Sequence, residues 1–143
     1  MAVDALHNVE FSFPAEVVDR MVKRFEDDFV GAWERFMTGF FQDPNSEVLK
    51  PILQDSDEPD PMAAIALLRD FNRFDAKAAL TAAAVPVRAI NATNPFPTAV
   101  EINRKYGDFD AVLLPDQGHF LMLEKPDEFN RQLRAIVEQF RQE

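Results

Sequence analysis

The amino-acid sequence predicts an α/β fold with about three short parallel strands and a block of helices. Two apolar, β-branched segments in the second half, residues 85–90 and 109–114, are typical of buried parallel strands. A helix follows each of them: Thr98 and Glu101 form a predicted capping box, and Pro126 begins the last helix. Short apolar strands separated by helices pair in parallel through right-handed crossovers.

The first half of the chain predicts one short strand followed by helices. Residues 2–6 are apolar except for Asp4, and they predict the end of a buried strand. A helix is expected to start near Ser12 and Pro14, because a hydroxyl can cap the first turn and proline already has a helical φ. We expect a single domain of 143 residues in three parts: a strand remnant at 1–10, a helical block at 11–74 and a strand–helix–strand–helix segment at 75–143.

Aromatic side chains recur at helical spacing within the helical block. The chain contains 14 phenylalanines, and Trp33, Phe36 and Phe40 share one predicted helical face. Such a stripe is typical of a packed core, and it also suits the lining of a pocket for a small hydrophobic substrate or ligand. Both interpretations stay open, because the inner face of a covering helix is also the roof of any pocket beneath it.

Composition and charge exclude several classes of partner. The chain has 25 acidic and 15 basic side chains, so its net charge is −10, which repels nucleic acid and anionic membrane surfaces. With no cysteine and two distant histidines, the sequence predicts no metal site, and no cofactor is expected. The start of the chain does not resemble a signal peptide, and no apolar run is long enough to span a membrane. A cytoplasmic location is therefore expected.

The segment most informative about chemistry is residues 113–126, LLPDQGHFLMLEKP. It places Gly118, His119 and Phe120 in the loop after the last predicted strand. Parallel α/β sheets carry reactive groups at the carboxyl ends of their strands, because those loops converge on one crevice. His119 is the side chain of this loop that titrates near neutral pH. An isolated loop histidine is commonly satisfied by backbone groups, so its surroundings decide the interpretation.

Those surroundings match the pattern of a known family. A Gly-His-aromatic after the last strand, followed by Glu-x-Pro at the final helix, resembles the histidine loop of the α/β-hydrolases. Residues 75–90 resemble the approach to that family's penultimate strand, and the aromatic helices at 14–74 resemble its lid. The resemblance covers the C-terminal half of that fold. It implies hydrolysis of an ester or a related small acyl or alkyl substrate, with His119 as the general base.

The family's nucleophile has no counterpart in this sequence. Family members carry Gly-x-Ser-x-Gly, sometimes with Asp in place of Ser, at a turn between a strand and a helix. None of the three serines, Ser12, Ser46 and Ser56, lies between glycines. We therefore expect this chain alone to be inactive. Two functions remain open: the C-terminal portion of a hydrolase, or a non-catalytic binding or interaction module on the same scaffold.

The acid that should accompany the histidine is also unusual. No acidic residue occurs between positions 88 and 101, where the family's usual carboxylate follows the penultimate strand. Some members take the acid from the preceding strand instead, and Asp4 lies at that position; an ordinary strand-end or capping carboxylate explains Asp4 equally well. Asp116 is nearer to His119 but is typical of a turn. His7 is interpreted as part of a polar loop.

The strand near the amino terminus is predicted to lie at the edge of a partial sheet. An unpaired strand edge offers backbone donors and acceptors to another chain. Together with the many phenylalanines, this edge predicts a homo-oligomer, formed by strand pairing or by exchange of the helical block.

Overall fold

The computed structural model describes residues 1–54 and 60–142. Its strands are β1 (Ala2–Val3), β2 (Val87–Ala92) and β3 (Phe109–Leu114). Its helices are α1 (Ala15–Asp27), α2 (Phe29–Thr38), α3 (Leu49–Gln54), α4 (Pro61–Arg69), α5 (Ala76–Ala82), α6 (Val100–Asn103), α7 (Leu121–Glu124) and α8 (Pro126–Phe140), with a 3₁₀ turn at Phe71–Arg73. Within the described ranges, no helix has both the length and the apolar composition needed to cross a membrane.

The chain forms two compact units. The sheet unit comprises Met1–Glu10, Phe40–Asp43 and the chain from Ala76 onwards. The helical unit comprises Phe11–Gly39 and the described part of Pro44–Asp75. Phe40–Asp43 therefore belongs to the sheet unit, although its neighbours on both sides in sequence belong to the helical unit.

The sheet unit contains one three-stranded parallel sheet in the order β1, β2, β3. In its register Val3 lies opposite Ile90, and Ile90 lies opposite Val112. This confirms the predicted α/β class with three short parallel strands. The first strand is shorter than the apolar segment 2–6 suggests, because the backbone leaves the extended region at Asp4, where φ is 41°.

Both faces of this sheet are covered, and alternate residues of β2 belong to different cores. Ile90 and Ala92 pack with side chains of α7 and α8, of which Leu121 and Phe129 are buried. Ala89 points the other way, into a second cluster that includes buried residues from α5 and β3. The alternation follows from the two-residue period of a strand. A strand buried on both faces is mainly apolar, and β2 was recognisable in the sequence for this reason although it contains Arg88 and Asn91.

The helical unit is built on α1, which packs against α2 and α4. Its buried core consists of Val18, Val22, Phe25, Ala32, Ile65 and Leu68. Side-chain caps begin two of the helices: Asp28 accepts a hydrogen bond from the Gly31 N–H at 3.0 Å, and Asp60 accepts one from the Met62 N–H at 3.0 Å. These caps satisfy backbone donors that a helix leaves unpaired in its first turn.

Two caps expected from the sequence are not formed. Pro14 takes the position before α1 without a side-chain hydrogen bond, so the hydroxyl of Ser12 does not cap that helix. Ala99 takes the same position before α6, which is only four residues long. The hydroxyl of Thr98 instead contacts the side chains of Asn91 and His7. The contacts with Asn91 and His7 therefore take the place of the predicted capping bond at the start of α6.

Candidate active site

The carboxyl ends of the three strands bring together residues that are far apart in sequence. Asp4 directly follows β1, Asn91 lies at the end of β2, and the loop containing His119 follows β3. Because the strands are parallel and adjacent, these three chain segments meet at one edge of the sheet.

Asp4 and His119 are in direct contact at this edge. His119 Nδ1 lies 2.7 Å from Asp4 Oδ2, although the two residues are 115 positions apart. An ionised carboxylate only accepts hydrogen bonds, so Nδ1 carries a proton, and in the neutral imidazole Nε2 then carries the lone pair. Asp4 is 7% exposed, whereas the side chain of His119 is 38% exposed. A buried carboxylate thus orients an imidazole whose ring reaches solvent.

The backbone of Asp4 is anchored to β2. Its N–H donates a hydrogen bond to the Ile90 carbonyl at 2.9 Å. Its carboxylate oxygen Oδ1 accepts one from the Ala92 N–H at 2.8 Å. The φ of 41° at Asp4 lies in the left-handed region, which aspartate tolerates better than most residues. This turn directs the side chain from the end of β1 back across the end of β2.

The pKa of Asp4 reflects two opposing effects. Burial raises it, because a carboxylate loses hydration in the protein interior. The hydrogen bonds with His119 and the Ala92 backbone, together with the nearby His7 ring, lower it by more than burial raises it. The net result lowers the pKa from 3.8 to about 2. Asp4 is therefore ionised at neutral pH despite its burial.

The other carboxylate near the histidine in sequence serves the turn. Asp116 has a φ of 56°, as expected for a residue in a tight turn after β3. Within the described residues, no hydrogen bond or ion pair joins Asp116 to His119. The geometry thus separates the two candidate acids, and Asp4 is the one that contacts the imidazole.

Two phenylalanines hold the ring of His119. The Phe40 ring centroid lies 4.7 Å from that of His119 at an interplanar angle of 36°. Phe120 meets the imidazole edge-on, with a centroid distance of 5.2 Å and an angle of 78°. The backbone N–H of His119 donates to the Phe40 carbonyl at 2.6 Å. These contacts restrict both the backbone and the ring rotamer of the histidine.

Gly118 and Glu124 fasten the histidine loop to the segment Phe40–Asp43. The Glu124 carboxylate accepts hydrogen bonds from the Gly118 N–H at 2.9 Å and from the Gln42 N–H at 3.2 Å. A Cβ added to Gly118 would lie 2.2 Å from the Phe40 carbonyl oxygen, closer than any non-bonded contact allows. The glycine of the Gly-His-Phe motif therefore permits a close backbone approach here.

The three residues predicted to line a hydrophobic pocket lie in different units. Phe40 belongs to the sheet unit and contacts His119. Trp33 and Phe36 belong to the helical unit, where both are partly buried against its core. Of the two interpretations of this stripe, core packing describes Trp33 and Phe36 within their own unit. A pocket role for the set stays a prediction.

Several residues of the site were not identified from the sequence. His7 lies 3.5 Å from Asp4 through its Nε2, so it is more than part of a polar loop. Asn91 is fully buried and bonds to Ala5 and Thr98. An asparagine inside a mainly apolar strand was the sequence feature that could have drawn attention to this position, since buried amides require partners.

Across residues 1–54 and 60–142, no group of three or more His, Cys, Asp or Glu side chains is arranged to hold a metal ion.

The parallel sheet and the Asp4–His119 pair at its strand ends can be compared with those of known proteins. No protein-family model and no curated protein sequence matches it. Solved structures do match, and those compared are esterases, hydrolases and an epoxide hydrolase of the α/β-hydrolase fold. The chain therefore has part of the α/β-hydrolase fold, as the resemblance of its histidine loop predicted, and it spans about half the length of the structures it matches.

Three of these structures illustrate the likeness. An esterase from Exiguobacterium antarcticum superposes with a TM-score of 0.71 at 15% identity, over 90% of this chain and 50% of the esterase. A thermophilic esterase from Thermogutta terrifontis gives a TM-score of 0.70 at 19% identity, over 96% of this chain and 54% of the esterase. An epoxide hydrolase gives a TM-score of 0.62 at 16% identity, over 96% of this chain and 58% of that enzyme.

Proposed function

We propose that this chain provides the acid–base part of an α/β-hydrolase active site. His119 is the general base, and Asp4 orients and stabilises its imidazole. The observation that carries the proposal is the 2.7 Å contact between Asp4 Oδ2 and His119 Nδ1 on this scaffold. The substrate class is an ester or a related small acyl or alkyl compound, which the esterases and the epoxide hydrolase among the similar structures support.

In this mechanism His119 transfers a proton in two directions. Nδ1–H donates to Asp4, so Nε2 accepts the proton of a nucleophilic hydroxyl as the hydroxyl oxygen attacks the substrate. The imidazolium that forms is stabilised by the Asp4 carboxylate. It then returns the proton to the leaving group, which departs as a neutral alcohol. Among the described residues no hydrogen bond occupies Nε2, so this atom is available for the transfer.

The electrostatic state of Asp4 supports its part in this mechanism. Its pKa of about 2 keeps the carboxylate charged wherever a histidine base is neutral and competent. A neutral acid could not hold the Nδ1–H tautomer equally well or stabilise the imidazolium. Phe40 and Phe120 contact the ring of His119. Apolar surroundings of this kind strengthen the electrostatic interaction between the imidazole and the Asp4 carboxylate.

The nucleophile would come from residues outside this sequence. None of the 143 residues forms Gly-x-Ser-x-Gly or its Asp variant. The proposal therefore includes the expectation that the chain alone does not turn over esters. The imidazole would act only when a second polypeptide segment supplies the nucleophile. A hydroxyl would lose its proton to Nε2 as it attacks, whereas a carboxylate would attack without losing a proton, and Nε2 would then deprotonate the water that hydrolyses the covalent ester.

A second candidate function is a non-catalytic binding module that kept the hydrolase scaffold. The absence of the nucleophile motif favours it for the isolated chain. In that case the apolar rings of Phe40 and Phe120 would contact a small hydrophobic ligand, and the Asp4–His119 pair would add one polar contact. The two functions differ in whether substitution of His119 abolishes a reaction.

The coding DNA immediately upstream of Met1 provides the test. If it extends the reading frame through Gly-x-Ser-x-Gly or Gly-x-Asp-x-Gly, we expect the longer protein to hydrolyse chromogenic esters or to open epoxides. His119→Ala should then lower kcat by about 10²-fold to 10⁴-fold, the range typical of a general base. Asp4→Asn should also lower kcat strongly, because the carboxylate no longer stabilises the imidazolium.

Asp127→Asn is the matched control for Asp4→Asn, because Asp127 is an exposed carboxylate in the first turn of α8 and should leave kcat unchanged. An active longer protein that keeps full kcat as His119→Ala would contradict the proposed base. Ester turnover by the 143-residue chain alone would contradict the external nucleophile. A stop codon upstream and no turnover would instead favour the binding module.

A further inference from the structure

The buried carboxylate of Asp4 lies between two histidines, and only one of them belongs to the proposed acid–base pair. Oδ2 faces His119, and Oδ1 lies 3.5 Å from Nε2 of His7. The His7 side chain is 20% exposed, so its ring is largely enclosed. Its backbone is also held, since the His7 carbonyl accepts a hydrogen bond from the Ala99 N–H at 2.7 Å.

The protonation of His7 can be worked out from a chain of hydrogen bonds that begins at Asn91. The Asn91 oxygen Oδ1 accepts from the Ala5 N–H at 3.2 Å, and its nitrogen Nδ2 donates to the Ala5 carbonyl at 3.0 Å. A backbone N–H can only donate and a carbonyl can only accept, so this reciprocal pair fixes which end of the amide is nitrogen. Nδ2 is therefore a donor toward its other partner, Thr98.

The hydrogen bond from Asn91 Nδ2 bears on the direction in which the hydroxyl of Thr98 donates. Asn91 Nδ2 donates to Thr98 Oγ1 at 2.9 Å, so this oxygen is an acceptor in the pair. The hydroxyl still has one hydrogen to donate. Within the described residues, its other contact is His7 Nδ1 at 3.3 Å. The hydroxyl oxygen has a second lone pair, so donation to Nδ1 is one of two directions open to this contact. Donation to Nδ1 is the direction that leaves the proton of a neutral His7 on Nε2, which lies 3.5 Å from Asp4 Oδ1.

We infer that His7 is a positioning residue: a neutral imidazole in the Nε2–H form that places its N–H beside Asp4 Oδ1 and keeps the carboxylate directed at His119. In the opposite tautomer, the lone pair of Nε2 would face a carboxylate oxygen, which is repulsive. The Ala92 N–H donates to Oδ1 and the His119 ring contacts Oδ2, and the His7 N–H adds a second donor beside Oδ1. Rotation of the Asp4 carboxylate about Cβ–Cγ is thereby restricted.

The effect on catalysis rests on the proposed function, but the protonation state of His7 does not. An unrestrained carboxylate could rotate and lose the 2.7 Å contact that sets the tautomer of His119. A neutral His7 restrains Asp4 without competing for its negative charge, whereas a cationic His7 would draw the carboxylate away from the imidazolium of His119.

Nitrogen-15 NMR of the uniformly labelled chain at neutral pH tests the inference directly. We expect His7 to show a protonated, pyrrole-type Nε2 and an unprotonated, pyridine-type Nδ1. Thr98→Val removes the hydroxyl that selects this form and should shift the His7 nitrogens toward a mixture of tautomers. The opposite tautomer or a doubly protonated ring in the wild-type chain would overturn the inference, as would Thr98→Val spectra identical to wild type.

Substitution of His7 tests whether it positions the pair. The low-field proton resonance of His119 Nδ1–H should be lost or strongly shifted in His7→Ala. It should be retained in His7→Gln, whose amide nitrogen can present an N–H to Oδ1. An unchanged resonance in His7→Ala would overturn the positioning role. None of these measurements depends on turnover, so their failure would leave His119 as the general base, and loss of that function would leave the state of His7 intact.

Discussion

At the scale of single residues, Asp4 shows how hydrogen bonding can outweigh burial. A carboxylate that is 7% exposed would ordinarily have a raised pKa, since it loses hydration. Donors from two histidines and one backbone amide lower the pKa to about 2 instead. Such a residue binds its proton less tightly in the folded chain than in the unfolded chain, so it couples stability to pH.

We predict that Asp4 stabilises the fold by about 2 kcal/mol at neutral pH, because its pKa is lowered from 3.8 to about 2 on folding. The contribution is fully present above about pH 5, clear of the unfolded pKa, and is lost as pH falls through the folded pKa. Urea unfolding of wild type and Asp4→Asn from pH 6 down to pH 3 measures it. The free-energy difference between them should shrink toward low pH, and a constant difference would contradict the prediction.

At the scale of elements, contacts with the backbone of Phe40–Asp43 hold the histidine loop in place, and regular secondary structure contributes little. α7 spans four residues, and the loop before it follows the turn at Asp116. Gly118 lies against the Phe40 carbonyl, and Glu124 joins the two segments through their backbone N–H groups. The position of His119 thus depends on a segment about 80 residues earlier in the chain.

We predict that Gly118→Ala destabilises the fold by about 1–3 kcal/mol, because its Cβ would overlap backbone atoms that cannot move independently. The His119 resonances should shift as the loop separates from Phe40. Gly39→Ala is the matched control: its Cβ would come no closer than 3.4 Å to its neighbours, so it should be nearly neutral. Thermal unfolding measures both variants, and equal effects would contradict the proposed close approach.

At the scale of the whole molecule, one strand edge lies open to pairing. In the described sheet β1 pairs with β2, and its other edge has no partner strand. The Asp4 N–H points to β2, where it donates to Ile90. Because successive N–H groups of a strand alternate in direction, the Val3 N–H points away from β2. This group is available to a strand from another polypeptide.

We therefore propose that the chain self-associates at micromolar concentration through β1. Val3→Pro removes the outward N–H and should shift the chain toward monomer in light scattering. Val3→Ala is the control for the lost side-chain packing, and it should associate as the wild type does. A wild-type chain that stays monomeric would contradict the proposal. If Val3→Pro associated as strongly as Val3→Ala, β1 would be excluded as the interface.

The sequence by itself determined the fold class and the position of the histidine. β2 and β3 are mainly apolar because side chains from both faces of the sheet enter buried cores, and this requirement is visible as a local pattern. The resemblance of the Gly-His-Phe loop to the histidine loop of α/β-hydrolases was also visible locally, because the loop and the elements on either side of it are encoded by neighbouring residues. The predicted cap of α6 by Thr98 was wrong, because the hydroxyl of Thr98 contacts Asn91 and His7 instead. Local sequence patterns do not reveal such contacts.

The tertiary structure alone decided which groups surround the histidine. Asp4 and Asp116 were alternatives in the sequence, and the parallel pairing of β1 with β2 places Asp4 against His119. The same pairing places His7 at the opposite oxygen of Asp4, where the sequence suggested only a polar loop. Contacts across 115 residues leave no periodic trace in the chain, because they depend on strand order and register rather than on neighbouring side chains.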